Sequence, residues 1–109
     1  MQAEPPLEAI FDEVARELAA EHPDLERDRI MHSKGIKTRG KFCAFTRRGE
    51  LVVKLPSERV AELIAGGEGS PFDSGRGRPL KAWVSLRPAD AGTCARYVLE
   101  ARDFVAALA

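Results

Sequence analysis

From Met31 to Trp83 the chain reads MHSKGIKTRGKFCAFTRRGELVVKLPSERVAELIAGGEGSPFDSGRGRPLKAW, and the order of strand, turn and helix signals in this stretch decides the fold. Lys41 to Arg47 and Leu51 to Leu55 are β-rich runs separated by Arg48-Gly49-Glu50, where glycine supplies the positive φ of a tight hairpin. Leu51, Val53 and Leu55 share one face by the period of two, with Val52 and Lys54 on the other. The spacing predicts a sheet covered on one side and partly wet on the other. Pro56-Ser57-Glu58-Arg59 opens a short helix with Val60, Leu63 and Ile64 as its apolar stripe and Gly66-Gly67 as its stop. Gly66 to Pro79 is rich in Gly, Pro and Ser and reads as a long loop without regular structure, pinned to the core by Phe72. Leu80, Ala82, Val84 and Leu86 then alternate with Lys81, Trp83, Ser85 and Arg87. This is a strand in which Trp83 faces away from the four aliphatic residues.

Upstream, Leu7, Ile10, Phe11, Val14 and Leu18 form the buried stripe of a helix over Pro6 to Glu21, ended by His22-Pro23. A short acidic connector follows, then a first strand that opens at Ile30 and Met31, is interrupted over Ser33 to Gly35 and continues at Ile36. Downstream, Asp90 is a plausible N-cap for a last helix with Cys94, Tyr97, Val98, Ala101, Val105 and Leu108 on one stripe. The expected architecture is a single α+β domain over residues 1–109, a helix-flanked small antiparallel sheet in the order α-β-β-β-α-β(-β)-α. Its long terminal helices are expected to pack on one face of the sheet.

The 109 residues are 44% apolar and 31% charged, ordinary for a soluble domain. No apolar run approaches the roughly 20 residues that cross a bilayer, so no membrane partner is expected. The N-terminus has neither the basic start nor the apolar stretch of a secretory signal, which makes the cytoplasm the expected compartment. Net charge is zero but segregated. Residues 1–28 hold nine acids against two bases, and residues 29–54 hold eight bases against one acid. Such asymmetry marks either an anionic partner for the basic segment or complementarity within the molecule or across a dimer, and the second reading is preferred.

Little chemistry is encoded. Cys43 and Cys94 form no CxxC pair and have no histidine at metal-ligand spacing, so both read as small core residues without a metal. The GxSxG elbow of a serine hydrolase is absent, His22 and His32 are the only imidazoles, and the acids of the first helix lie on a solvated face. The glycine-rich loop lacks the lysine and the following helix of a P-loop. What remains is a surface of Arg76, Arg78, Lys81 and Trp83 able to hold a partner chain or an anion. A second candidate is a nucleic-acid surface of Lys34, Lys37, Arg39, Lys41, Arg47 and Arg48. By parity Phe42 and Phe45 fall on opposite faces, which argues against one base-stacking platform.

In Met31 with Lys34-Gly35-Ile36-Lys37, in Gly40-Lys41-Phe42-Cys43-Ala44, in Gly49 to Pro56 with Arg59-Val60, and in Pro71-Phe72 through Gly77 to Val84, the chain resembles the TfoX N-terminal domain family, also called TfoX/Sxy-like. The likeness runs from about Leu7 to Leu108. Met31-His32-Ser33 replaces the family's Met-Phe-Gly, and Leu80 stands in the last place of its Gly-Arg-Pro-Met tail. The resemblance implies a secretion-chaperone-like α+β fold and a regulatory or interaction module associated with bacterial competence control. It implies no enzyme and no cofactor. Longer members add a C-terminal helical domain, which is not expected in a chain ending at Ala109. The expected function is therefore a non-enzymatic protein-interaction domain, forming a homodimer or binding another protein through the Trp83 face. The alternatives are nucleic-acid binding through residues 29–54 and binding of a small anionic ligand.

Overall fold

The computed structural model describes residues 6–30, 32–73, 77 and 79–108. Helix α1 spans Leu7–Glu21, β1 Leu25–Ile30, β2 Ser33–Thr38, β3 Lys41–Arg47, β4 Glu50–Lys54, α2 Ser57–Ala65, β5 Gly69–Asp73, β6 Pro79–Leu86 and α3 Ala91–Leu108. The strands form one antiparallel sheet in the order β1-β2-β3-β4-β6-β5. The α+β class, the helix at each end and the strands between them are as expected.

Two expectations are corrected. The acidic connector after α1 is largely strand, so four strands rather than three precede α2. β1 reads Leu-Glu-Arg-Asp-Arg-Ile and buries only Leu25, because an edge strand needs few apolar residues and its charges discourage pairing with other chains. The second correction concerns the glycine-rich loop, where Gly69–Asp73 is the opposite edge strand. Pro71 there has no ladder donor, which an edge tolerates, and Gly69 lets the strand approach β6. A Cβ at Gly69 would stand 2.6 Å from Val84 Cγ2.

Three hairpins join β1 to β4, four of the six strands. Arg39-Gly40 and Arg48-Gly49 both have positive φ at each residue (52° and 81°, 53° and 77°), the left-handed pair of a two-residue type I′ turn. The second of these is the hairpin the sequence announced. α2 ends as Gly66-Gly67 predicts: Gly67 has φ 79°, its N–H donates to the Ile64 carbonyl, and the Glu68 N–H donates to that of Leu63, a Schellman stop. At the start of α3 the Asp90 carboxylate accepts the Thr93 N–H at 2.8 Å, the expected cap.

All three helices cover one face. Phe11, Val14 and Leu18 of α1, Val60 and Leu63 of α2 and Cys94, Val98, Ala101 and Val105 of α3 pack on Ile36, Ala44, Leu51, Val53, Val84 and Leu86. The other face holds a smaller cluster of Phe45, Val52 and Phe72, with Ile30 and Trp83 packed against it. As predicted, Val52 lies on the opposite face from Leu51 and Val53, and Trp83 on the opposite face from Val84 and Leu86.

Candidate functional site

The face left open by the helices is where unusual side chains converge. Two irregularities in the ladder place them there. Between Ile36 and Lys37 the β2–β3 register shifts: Ile36 pairs with Ala44, but Lys37 pairs with Phe42. Cys43 is thus a bulged extra residue, and a bulge resets the alternation of faces. Phe42 consequently lies over Gly35, where a Cβ would come within 2.8 Å of its ring. Gly35 pairs with Phe45, so Phe42 and Phe45 occupy the same face, contrary to strict parity. The second shift lies between β5 and β6. Pro71 pairs with Val84 but Asp73 with Pro79, so β6 contributes extra residues and its alternation breaks. Leu80 therefore leaves the aliphatic row and lines the open face beside Trp83.

The result is a hollow of about 310 Å³ lined by Ile30, Phe45, Phe72, Leu80 and Trp83, with Ser33 and Arg47 as its polar groups. Phe45 contacts Phe72 edge-on at 5.6 Å between centroids and Trp83 at 5.4 Å, tilted, arrangements that suit the quadrupoles of the rings. Of the described large apolar residues only Leu80 and Leu108 are exposed. Leu80, at 38%, is at the hollow.

Cations flank these rings. Lys37 Nζ lies 5.4 Å from the Phe42 centroid, the Arg47 guanidinium 5.5 Å from Phe72 and Lys54 Nζ 5.8 Å from Trp83, all within cation–π range. Their charges are not equally free. Lys37 pairs with Asp28 at 3.0 Å, and that hydrogen bond raises its pKa and helps to lower that of Asp28, behind the bond Asp28 accepts from the Arg29 N–H. Glu50 sits directly across from Arg47 in the β3–β4 register. Its oxygens are nevertheless taken by the Ser85 hydroxyl and by Arg87 at 2.7 Å, bonds that hold its carboxyl below the usual range. Among the described residues no carboxylate reaches Arg47 or Lys54 as an ion-pair partner.

The sequence-predicted surfaces are placed as follows. Trp83 is half-buried at the hollow and Lys81 is exposed, while Arg76 and Arg78 lie outside the described residues. Of the six basic candidates, Lys37 and Arg47 share the open face. Lys34 is on the helix side, 3.5 Å from Asp12 of α1. Arg39 and Lys41 sit at one end of β3 and Arg48 at the other, about 20 Å away at ~3.3 Å per residue. The six do not form one patch. Ile30, Phe45, Phe72 and Leu80 are site residues that the sequence does not single out: Arg39-Gly40 signals the β2–β3 turn and its Lys37–Phe42 pairing, but the bulge at Cys43 that brings Phe42 and Phe45 together has no signal along the strand.

Nucleophilic chemistry finds little support. Burial pushes the Cys43 thiol up to about 12 and the Cys94 thiol up to about 11, so neither offers thiolate near neutrality. His32 is exposed in the β1–β2 turn with φ 72°. Compared with protein-family models, curated proteins and solved structures, the chain matches none.

Proposed function

We propose that this chain is a non-enzymatic, cytoplasmic regulatory domain of the TfoX N-terminal type that works by binding another protein, in the simplest case a second copy of itself, through the open face of its sheet. The observation that carries this reading is the asymmetry of the sheet. Three helices bury one face, while the other presents an aromatic hollow with an exposed leucine at its edge. Apolar surface of this kind, rimmed by charge, favours a protein contact in which aromatic and arginine side chains supply most of the energy. No helix among the described residues is long and apolar enough to cross a membrane.

A photo-crosslinking amino acid at position 54 on the open face, compared with one at Glu58 on exposed α2, tests the reading inside bacterial cells. Discrete adducts are expected from position 54 alone, at twice the chain mass for a homodimer, and Trp83→Ala should remove them without changing the circular dichroism of the folded protein. Equal labelling from both positions would sink the proposal.

The bulge at Cys43 favours a second reading. With Phe42, Phe45, Phe72 and Trp83 on one face and three cations over their rings, the face has the parts of a single-stranded nucleic-acid platform. Titration with a thymidine oligonucleotide should then quench Trp83 emission at low salt and lose affinity steeply as salt rises. No quenching at low salt excludes it.

A further inference from the structure

We propose that the hollow on the open face is a binding site for a small amphipathic carboxylic acid, its aryl or medium-length acyl body lodged against Phe45, Phe72 and Trp83 and its carboxylate held by Arg47. This goes beyond the macromolecular reading above and does not depend on it.

Size is the first reason. At about 310 Å³ the hollow stands at the lower end of small-molecule sites, which run from about 300 to 1,000 Å³. It fits one ring with a short chain, or a chain of several methylenes, and little more. Its lining is the second reason. Among the described residues the walls are aromatic and aliphatic, and the polar groups are one hydroxyl, Ser33, and one guanidinium, Arg47. An apolar body with a single polar head matches that distribution.

The state of Arg47 is the third reason. Arg27, Arg59, Arg87 and Arg102 each pair with a carboxylate. Among the described residues no carboxylate pairs with Arg47, although Glu50 stands opposite it in register, because Ser85 and Arg87 occupy the Glu50 oxygens. The guanidinium rests on the Phe72 ring instead. Its planar fork is thus left free at the rim of an apolar cavity, the geometry that recognises a carboxylate in two parallel hydrogen bonds. A monovalent head suffices, since Arg47 is the one cation among the described residues that line the hollow.

The chain has a single tryptophan and it lines the hollow, so its emission reports occupancy directly. The probes are 4-phenylbutyrate, the neutral 4-phenylbutanamide of the same shape, and acetate. Phenylbutyrate is expected to shift Trp83 emission saturably, with the amide and acetate binding about tenfold weaker or worse, the scale of one charge-assisted contact. Arg47→Gln should lower the acid to the affinity of the amide, whereas Lys54→Gln, outside the hollow, should change it less than about twofold. Thermal unfolding of both variants checks that they fold. Equal binding of acid and amide, an acid preference that survives in Arg47→Gln, or unchanged emission at millimolar phenylbutyrate would each overturn the proposal, and none of these bears on whether position 54 crosslinks to a protein.

Discussion

Arg47 and Glu50 show how a residue's neighbours decide its chemistry. In register they stand opposite each other with opposite charge, a cross-strand arrangement that can stabilise an antiparallel sheet. Glu50 lies closer to Ser85 of β6 and to Arg87 just beyond its end, and the bonds it accepts from them leave Arg47 over Phe72. A glycine acts with similar economy at Gly69. Its backbone approaches β6 so closely that a methyl group would stand 2.6 Å from Val84 Cγ2 and 3.2 Å from Leu86 Cδ2. Both of those side chains belong to the helix-side core and have little room to yield. Gly69→Ala is therefore expected to destabilise the protein by roughly 1–3 kcal/mol through overpacking, read as a lowered midpoint of urea unfolding. An unchanged midpoint would mean that β5 slides outward at no cost.

At the scale of elements, the packing of α3 on the sheet is tied down by charge as well as by its apolar stripe. Asp24, in the turn between α1 and β1, accepts two hydrogen bonds from Arg102 of α3 at 2.7 and 2.9 Å and one from the Thr38 hydroxyl of β2 at 2.7 Å. One carboxylate thus joins α3 to the β1–β2 corner. The Arg102 bonds, followed by that from Thr38, hold the Asp24 carboxyl well below the usual carboxylate range. A carboxyl whose folded pKa is depressed stabilises the fold fully above its unfolded pKa and loses that contribution as pH falls toward the folded value. Asp24→Asn should cost about 2 kcal/mol at neutral pH, the scale of hydrogen bonds to a charged group. The gap between wild type and variant should narrow as pH falls below about 4. Urea unfolding of both proteins at several pH values measures this, and a gap that stays constant with pH would show that geometry rather than charge sets the cost.

Across the whole molecule, the acidic and basic segments meet in the Asp12–Lys34 and Asp28–Lys37 ion pairs, and Glu8 accepts the Gly49 N–H of the β3–β4 turn at 3.0 Å. Elements with strong local signals were legible from residues alone. α1 and α2 carry apolar stripes at helical spacing, Asp90 caps α3, and Arg48-Gly49 closes its hairpin, because periodicity and turn conformation act over a few residues. The face of Trp83 was legible for the same reason, and so was the anchoring role of Phe72. β1 and β5 were hidden because edge strands are held by pairing with distant partners and not by their own apolar content. Only the tertiary structure decided where Phe42 and Leu80 point. A ladder can absorb extra residues at Cys43 and between Val84 and Pro79, and each insertion reverses the alternation beyond it, a choice made by the partner strands and invisible to a count along one strand. Residue spacing by itself determined the α+β class and a sheet covered on one side. The hollow with its unpaired arginine exists because five strands place Ile30, Phe45, Phe72 and Trp83 side by side and give Glu50 a nearer partner, which no spacing along the chain encodes.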